Sequence, residues 1–212
     1  MNRLKFSFIL VVAAALLTTA CATHQVTRHQ RIAPMESGLR IGALNDCTVA
    51  ANFSVQDFNW QKRALTFSVY SEDLYDAVAV SRMNLGDTLV YDGNPMTVKK
   101  IQKDKNGVSI NGEIDEGGAW LTPNGGGTYR ATIWDDHSIY TLVGKTTLPL
   151  ADDFTLIDCS DDPTAPSDTI RSGQQEHLSQ IAKQGRDNFY AINTRIKIVQ
   201  GKVTEIRRFW IP

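Results

Sequence analysis

The feature of this chain that most constrains its fold is a period of two in the apolar residues, which begins near Cys47 and recurs almost to the C-terminus. Leu65, Phe67 and Val69, for example, are each separated by one polar residue. Successive side chains of a β-strand point to opposite faces, so this alternation predicts half-buried strands. The strands follow one another as hairpins rather than alternating with long helices, which argues against a parallel sheet.

Turn residues separate the predicted strands. The Asn106-Gly107 pair is the strongest of these signals, because both residues accept the positive φ that a tight hairpin turn requires. Segment 85–114 resembles the entry to many small barrels of the SH3-like kind, and that resemblance implies a local fold without a particular function. Further turns are predicted at Asp92-Gly93, at the glycines 125–127 and at Gly144-Lys145.

One amphipathic helix is predicted, over residues 173–184. Leu178 and Ile181 form its apolar stripe, and Gly185 is placed to end it. The sequence therefore predicts an all-β or β-dominated fold, in which antiparallel hairpins form a barrel or a sandwich with one short helix near the C-terminus.

The N-terminus has the composition of an export signal. Arg3 and Lys5 form a short positive segment, and residues 6–17 that follow are almost entirely apolar. About a dozen apolar residues match the core of a signal peptide, whereas a helix that spans a bilayer needs roughly 20. We therefore predict a signal peptide over residues 1–20.

The apolar run ends in Leu17-Thr18-Thr19-Ala20, directly before Cys21. This stretch resembles the lipobox of bacterial lipoproteins, whose commonest form has a bulky aliphatic residue where this chain has Thr18. The resemblance implies cleavage after Ala20, lipidation of the Cys21 thiol and acylation of the new amino terminus, for example with palmitate. Stable anchoring needs more than one such chain. The alternative is an ordinary secretory signal with a chance cysteine near the cleavage site.

The residue after Cys21 indicates a destination. It is Ala22 rather than Asp, which in the sorting scheme of enteric bacteria resembles an outer-membrane lipoprotein, provided that the source is Gram-negative. We therefore expect a protein of the cell envelope, held outside the cytoplasm by its lipid anchor in the membrane. Residues 21–45 are predicted to form the lipidated N-terminus and a flexible tether, and residues 46–212 a single β-rich domain.

Two cysteines are left when the lipidated Cys21 is set aside, Cys47 and Cys159. In an oxidising compartment they most simply pair as a disulfide bond. A bond that closes so long a loop would stabilise the fold by up to about 4.7 kcal/mol. The alternatives are two free thiols or a pair of metal ligands, although no Cys-x-x-Cys motif or suitably spaced histidine supports a metal.

Composition and motifs weigh against nucleic-acid, nucleotide and cofactor binding. The formal net charge of −1 gives no indication of the concentrated basic face that nucleic acid requires. Gly144-Lys145-Thr146 matches the end of a phosphate-binding P-loop, but Ile139 stands where its first glycine is required, and a strand is predicted to follow instead of a helix. The acidic stretches are interpreted as solvated loops. We therefore predict no cofactor and no metal.

No catalytic set stands out in the sequence. Residues 135–138 place two aspartates, His137 and a serine in one loop, and His177 lies beside Glu176 on the predicted helix. Catalytic triads assemble from separate elements, so neighbours in sequence are weak evidence, and a polar turn and a solvent-facing pair are preferred. An envelope hydrolase that uses His137 or His177 with nearby carboxylates is the alternative.

Aromatic residues in neighbouring predicted hairpins are the better candidates for a binding face. On an exposed surface they could stack on a sugar or pack against a partner, whereas in a β-domain they more often fill the core. The leading hypothesis is a non-enzymatic envelope lipoprotein that binds a glycan or an envelope protein, and an accessory subunit of an envelope complex is a further alternative. The candidate binding residues are Trp120, Tyr129, Trp134, His137 and Tyr140.

Overall fold

The computed structural model describes residues 28–159 and 168–211. The predicted signal peptide and Cys21 lie outside the described residues, so lipidation stays a prediction. Within the described ranges, no helix is long and apolar enough to cross a bilayer. Strands dominate, and the elements in chain order are β1 Arg31–Ile32, β2 Cys47–Asn52, β3 Phe58–Asn59, β4 Ala64–Glu72, β5 Leu74–Asp76, α1 Ala77–Ser81, β6 Thr88–Tyr91, β7 Asn94–Thr97, β8 Ile101–Lys103, β9 Val108–Ile110, β10 Ala119–Gly125, β11 Thr128–Thr132, β12 Tyr140–Asp158, β13 Asp168–Ile170, α2 Gln174–Lys183, β14 Thr194–Val199 and β15 Lys202–Arg208.

Five of these strands close into a barrel. Their order around it is β2, β4, β12, β15 and β14, and β14 returns to β2. Neighbouring strands are antiparallel except β12 and β15, which run parallel. In chain order, α2 lies between the third barrel strand, β12, and the fourth, β14. This is the connectivity of the Greek-key barrels called OB-folds. The predicted β-dominated fold with one short helix near the C-terminus is confirmed, and the barrel is the architecture observed.

The alternation in the sequence explains how the barrel is filled. Leu65, Phe67 and Val69 of β4 are fully buried, while the residues between them are only partly so. Ile196 of β14 and Ile206 of β15 belong to the same buried cluster. The helix predicted from its apolar stripe is confirmed as α2, whose two buried residues pack into that cluster as well. Each large apolar side chain buried in this way contributes roughly 1.5–3 kcal/mol.

The longest strand, β12, corrects one of the predicted turns. Gly144-Lys145 does not turn, and the 19 residues of β12 run continuously past it. The first half of β12 pairs with β4 and the second half with β15, with a register irregularity between Leu142 and Gly144. A Cβ on Gly144 would lie 2.8 Å from Cγ1 of Ile41, so glycine lets the Ile41 side chain pack closely against this strand.

The segment between β4 and β12 builds a second hydrophobic core, and we call residues 73–139 the inserted unit. Strands β5, β11, β10, β9 and β8 form one sheet, and β1, β6 and β7 form another. Tyr75, Leu89 and Leu121 are fully buried in one cluster between them. Segment 85–114 supplies β6 to β9 of this unit, and the hairpin turn predicted at Asn106-Gly107 joins β8 to β9.

The second half of the predicted tether is part of the folded structure. Arg31 and Ile32 pair with Thr88 and Leu89 of β6, and Ile32 is buried in the second core. Leu44 is buried in the barrel core. Single apolar residues so far apart give no periodic signal, although each fills a place in a core. The prediction of a flexible tether is therefore wrong for residues 28–45, while residues 22–27 lie outside the described ranges.

The predicted disulfide bond between Cys47 and Cys159 is also wrong, and both thiols are free. Cys47 begins β2 opposite Ile198 of β14, whereas Cys159 follows the last residue of β12, which pairs with Arg208 of β15. Strands β14 and β15 lie between the two cysteines, and the pairing register puts them at opposite ends of those strands. A disulfide needs its Cα atoms within about 7 Å, which this separation does not allow.

Candidate functional site

The structure brings two of the five candidate binding residues together. Trp120 and Trp134 line one cleft of about 560 Å³ on the inserted unit. We call it the tryptophan cleft. The other residues that matter for its chemistry are Glu113, Asp115, Thr122, Thr132, Asp135 and Asp136.

The floor of the tryptophan cleft is a rigid sheet. Trp120 lies on the central strand β10, between Ser109 of β9 and Thr132 of β11. Its neighbours Ala119 and Leu121 are fully buried, so strand alternation directs Trp120 to the opposite face. On that face the hydroxyls of Thr122 and Thr132 share a hydrogen bond of 3.0 Å. The indole and the two hydroxyls are therefore fixed by the pairing of three strands.

One wall of the cleft is the short 3₁₀ turn Trp134–Asp136, which follows β11. Trp134 is 59% exposed, which is unusual for so large an apolar side chain. Its indole Nε1 donates a hydrogen bond to Oδ1 of Asp115 at 3.1 Å. Asp115 belongs to the opposite wall, so this contact spans the cleft and sets the orientation of the exposed ring.

The turn that carries Trp134 has a strained backbone. Asp135 and Asp136 have φ values of 56° and 61°, in the left-handed region that non-glycine residues seldom adopt. Arg130 holds the turn from behind, because its Nη1 donates to the carbonyl of Asp136 at 2.7 Å and its Nη2 pairs with the Asp136 carboxylate. The same Nη1 donates to Ser138 Oγ at 3.0 Å. Strain that is held in place by such contacts is characteristic of binding and catalytic sites.

The opposite wall is a tightly folded loop that carries Glu113 and Asp115. A second 3₁₀ turn, Ile114–Glu116, forms its centre. The loop closes where Gly118 meets Gly112, and a Cβ on Gly118 would lie only 2.3 Å from the Gly112 carbonyl oxygen. No other residue type fits at that position, so the glycine fixes the placement of the two carboxylates.

The cleft is acidic. Of the described residues that line it, four carry carboxylates and none is basic. Carboxylates accept hydrogen bonds from hydroxyl and ammonium groups and repel anions. Within the described part of the chain, no three His, Cys, Asp or Glu side chains come close enough together to hold a metal ion. The arrangement offers aromatic faces for stacking and carboxylates for hydrogen bonding.

Three of the candidate residues lie elsewhere. Tyr129 of β11 packs against the second core. Tyr140 begins β12 on the barrel, where Arg195 donates to its hydroxyl and places its guanidinium carbon 5.1 Å from the ring centre. His137 follows the strained turn, and its backbone carbonyl accepts from the amide of Ile133 at 2.8 Å. None of the three lines the tryptophan cleft.

The second histidine of the hydrolase alternative has a different partner from the one predicted. Nε2 of His177 lies 2.9 Å from Oδ2 of Asp158, and not beside Glu176 in a solvent-facing pair. The same carboxylate receives Nε and Nη2 of Arg208 at 3.0 and 2.7 Å. Arg208 is fully buried, with its guanidinium carbon 4.6 Å from the centre of the Phe189 ring. Asp158 therefore neutralises a buried cation, which is a structural task.

Sequence reasoning missed the residues that complete the tryptophan cleft. Glu113 and Asp115 stand in an acidic stretch a few positions before Trp120, and that proximity was the one available signal. Arg130 gave no signal, because its role depends on the backbone conformation of the turn Trp134–Asp136, which the sequence pattern does not reveal.

Comparisons of the chain with protein-family models, with curated proteins and with solved structures find no match.

Proposed function

We propose that this chain is a lipid-anchored, non-enzymatic binding protein of the bacterial cell envelope, and that the tryptophan cleft binds a glycan. The observation that carries the proposal is the cleft itself, in which Trp120 and the exposed Trp134 stand beside Glu113, Asp115 and Asp135. The lipobox before Cys21 supports the location.

The chemistry of a sugar ring fits these groups. Its C–H face packs on an indole ring, and its hydroxyls donate hydrogen bonds to carboxylates. The cleft volume of about 560 Å³ lies within the range of roughly 300–1,000 Å³ that is usual for small-molecule sites. Because the lining is acidic, we expect neutral or amino-bearing glycans to bind and phosphate- or carboxylate-bearing glycans to be excluded.

The short connection to the anchor supports a partner near the membrane. Only residues 22–27 lie between Cys21 and the described structure, and seven extended Cα–Cα steps reach at most about 25 Å. A domain anchored through Cys21 would therefore meet partners in the layer next to the bilayer. Glycans of the cell envelope occur there.

Calorimetric titration of the full-length chain in detergent tests the glycan proposal. The probes are a neutral glucose oligosaccharide, a glucosamine oligosaccharide and a uronate oligosaccharide of equal length. We expect at least one of the first two to bind, and Trp134→Ala to weaken it tenfold or more, about 1.4 kcal/mol. Trp210→Ala is the matched control, because Trp210 is also partly exposed but lies beyond β15 and away from the cleft.

Two outcomes would reject the glycan proposal. One is the absence of binding by the neutral and the amino sugars alike. The other is an equal loss of affinity in Trp134→Ala and Trp210→Ala, since that would place the ligand somewhere other than the cleft.

Labelling with radioactive palmitate in a bacterial host tests the anchor separately. We expect the wild-type chain to incorporate label and to fractionate with membranes, and Cys21→Ser to do neither. Cys47→Ser is the control, because Cys47 lies inside the folded barrel. Label in Cys21→Ser, or none in the wild type, would remove the lipoprotein part of the proposal.

A further inference from the structure

A second cavity lies where the barrel meets the inserted unit, and we call it the junction pocket. Its volume is about 610 Å³. Ser71 of β4 and Thr141 of β12 line it from the barrel, and Val90 of β6 lines it from the inserted unit. Residues 34–40 also line the pocket and form its roof. The junction pocket shares no lining residue with the tryptophan cleft.

A buried carboxylate with an unused oxygen lines the junction pocket. Asp73 is 1% exposed, and in the part of the chain that the structure describes its Oδ2 has no hydrogen-bond partner. The backbone of Asp73 is held in place, because its amide donates to the carbonyl of Ile139 at 3.0 Å and its carbonyl accepts from the amide of Ala131 at 2.9 Å. A buried acceptor without a partner is costly and uncommon in native proteins. Such an oxygen points to a donor that a ligand supplies.

The charge around the junction pocket has one predominant sign. Among the described residues that line it, Glu36, Glu72 and Asp73 are acidic and Arg40 alone is basic. Glu72 already accepts a hydrogen bond from Ser138 Oγ at 2.5 Å, so its carboxylate is held in place. A positively charged group would therefore be attracted into the pocket.

Part of the lining is apolar. Met35 and Leu39 of the roof face the pocket together with Val143 of β12. Most of the roof is exposed on its outer side, and Met35 itself is 41% exposed. The apolar part of the pocket is therefore formed by this surface segment together with β12.

We propose that the junction pocket binds a small primary amine with a short aliphatic body. The ammonium group, which carries three donors, pairs with Oδ2 of Asp73 and with Glu72. The aliphatic part lies against Met35, Leu39 and Val143. The proposal of an amine site does not rest on the proposal that the tryptophan cleft binds a glycan.

Calorimetric titration of the full-length chain with three probes of one shape tests the proposal: n-pentylamine, 1-pentanol and pentanoate. We expect the amine to bind at least tenfold more tightly than the alcohol, and pentanoate not to bind. Asp73→Asn, which keeps the shape of the side chain, is expected to remove the preference for the amine. Asp153→Asn is the matched control, because it neutralises an exposed carboxylate of β12 that lines neither cavity, and it should leave amine binding unchanged.

A second variant decides the matter if Asp73→Asn does not fold. Leu39→Lys places a tethered ammonium group on the roof, within the pocket, without altering Asp73. We expect this variant to exclude n-pentylamine. Equal binding of the amine and the alcohol by the wild type, or undiminished amine binding by Leu39→Lys, would overturn the proposal.

Discussion

At the scale of single residues, Asp73 and Asp158 are two carboxylates with little exposed side chain and contrasting surroundings. Asp158 is compensated, because Arg208 and His177 both contact it at hydrogen-bond distance. Asp73 is not compensated to the same extent, since one of its oxygens has no partner within the described residues. The contrast separates a carboxylate that stabilises the structure from one that is poised to bind.

Asp73 makes the stability of the fold depend on pH. Burial raises its pKa above the ordinary value of 3.8; hydrogen bonding from Thr141 offsets part of that rise, and the charge of Asp92 adds to it. The folded chain therefore holds a proton that the unfolded chain has lost, and stability falls as the pH rises from about 4 through the raised pKa. Asp73→Asn has no such proton to lose.

Urea unfolding at a series of pH values measures this effect of Asp73. We expect the free energy of unfolding of Asp73→Asn, relative to the wild type, to increase as the pH rises through that window and then to level off. A difference that stays constant from pH 3.5 to 8 would show that Asp73 has the same pKa in both states.

Asp158→Asn should be strongly destabilising. Arg208 is fully buried, and among the described residues Asp158 is the one carboxylate that pairs with its guanidinium. Loss of one member of a buried pair typically costs about 3–5 kcal/mol. His177→Ala is the comparison, because the His177 side chain is 30% exposed and its removal should cost less than about 1 kcal/mol. Similar losses in both variants, measured by urea unfolding, would contradict this assignment.

At the scale of elements, the strained turn Trp134–Asp136 depends on Arg130. Because Arg130 contacts both the backbone and the carboxylate of Asp136, Arg130→Ala should cost about 1–3 kcal/mol. The same variant should expose Trp134 further, which increases quenching of its fluorescence by acrylamide. Arg130→Lys retains the charge but cannot make both hydrogen bonds at once. Its stability and its quenching should therefore lie between those of the wild type and those of Arg130→Ala. Unchanged quenching in Arg130→Ala would show that the turn keeps its conformation without Arg130.

Elements decided by local signals were predictable from the sequence. Alternation identified the barrel strands, and the apolar stripe of α2 identified the helix, because each pattern reports directly which face is buried. Gly144 was read as a turn residue, whereas its task is to let Ile41 approach a continuous strand. That task depends on a segment a hundred positions away, which no local pattern reveals.

The candidate site was predictable only in its aromatic part. Trp120 and Trp134 were among the residues chosen, but Tyr129 and Tyr140 were chosen with them, because composition does not say which face of a strand meets a cavity. The wall that carries Asp115 depends on the contact of Gly118 with Gly112, which is visible only in three dimensions.

At the scale of the whole molecule, the chain has two cores that its N-terminal segment joins. Ile32 is buried in the inserted unit and Leu44 in the barrel, so residues 28–45 connect both. A hydrogen-bond chain also crosses between the two cavities, from Glu72 in the junction pocket through Ser138 and Arg130 to Asp136 in the tryptophan cleft. The expectation of one core with a free tether missed this organisation, since it is decided by long-range contacts.

Truncation distinguishes the folded segment from a tether. A chain that begins at residue 28 should unfold with the same free energy as a chain that begins after the predicted cleavage site. A chain that begins at residue 46 loses Ile32 and Leu44 from their cores and should be less stable by about 3–6 kcal/mol. Equal urea midpoints for the chains that begin at residues 28 and 46 would show that residues 28–45 add no stability, as expected of a flexible tether.

The most direct test of glycan binding is a crystal structure of the chain with the oligosaccharide that binds most tightly in titration. We expect a sugar ring between Trp120 and Trp134, with hydroxyls within hydrogen-bond distance of Glu113, Asp115 or Asp135. A sugar bound instead on the barrel beside Tyr140 and Arg195, or a tryptophan cleft left empty at saturating concentration, would contradict it.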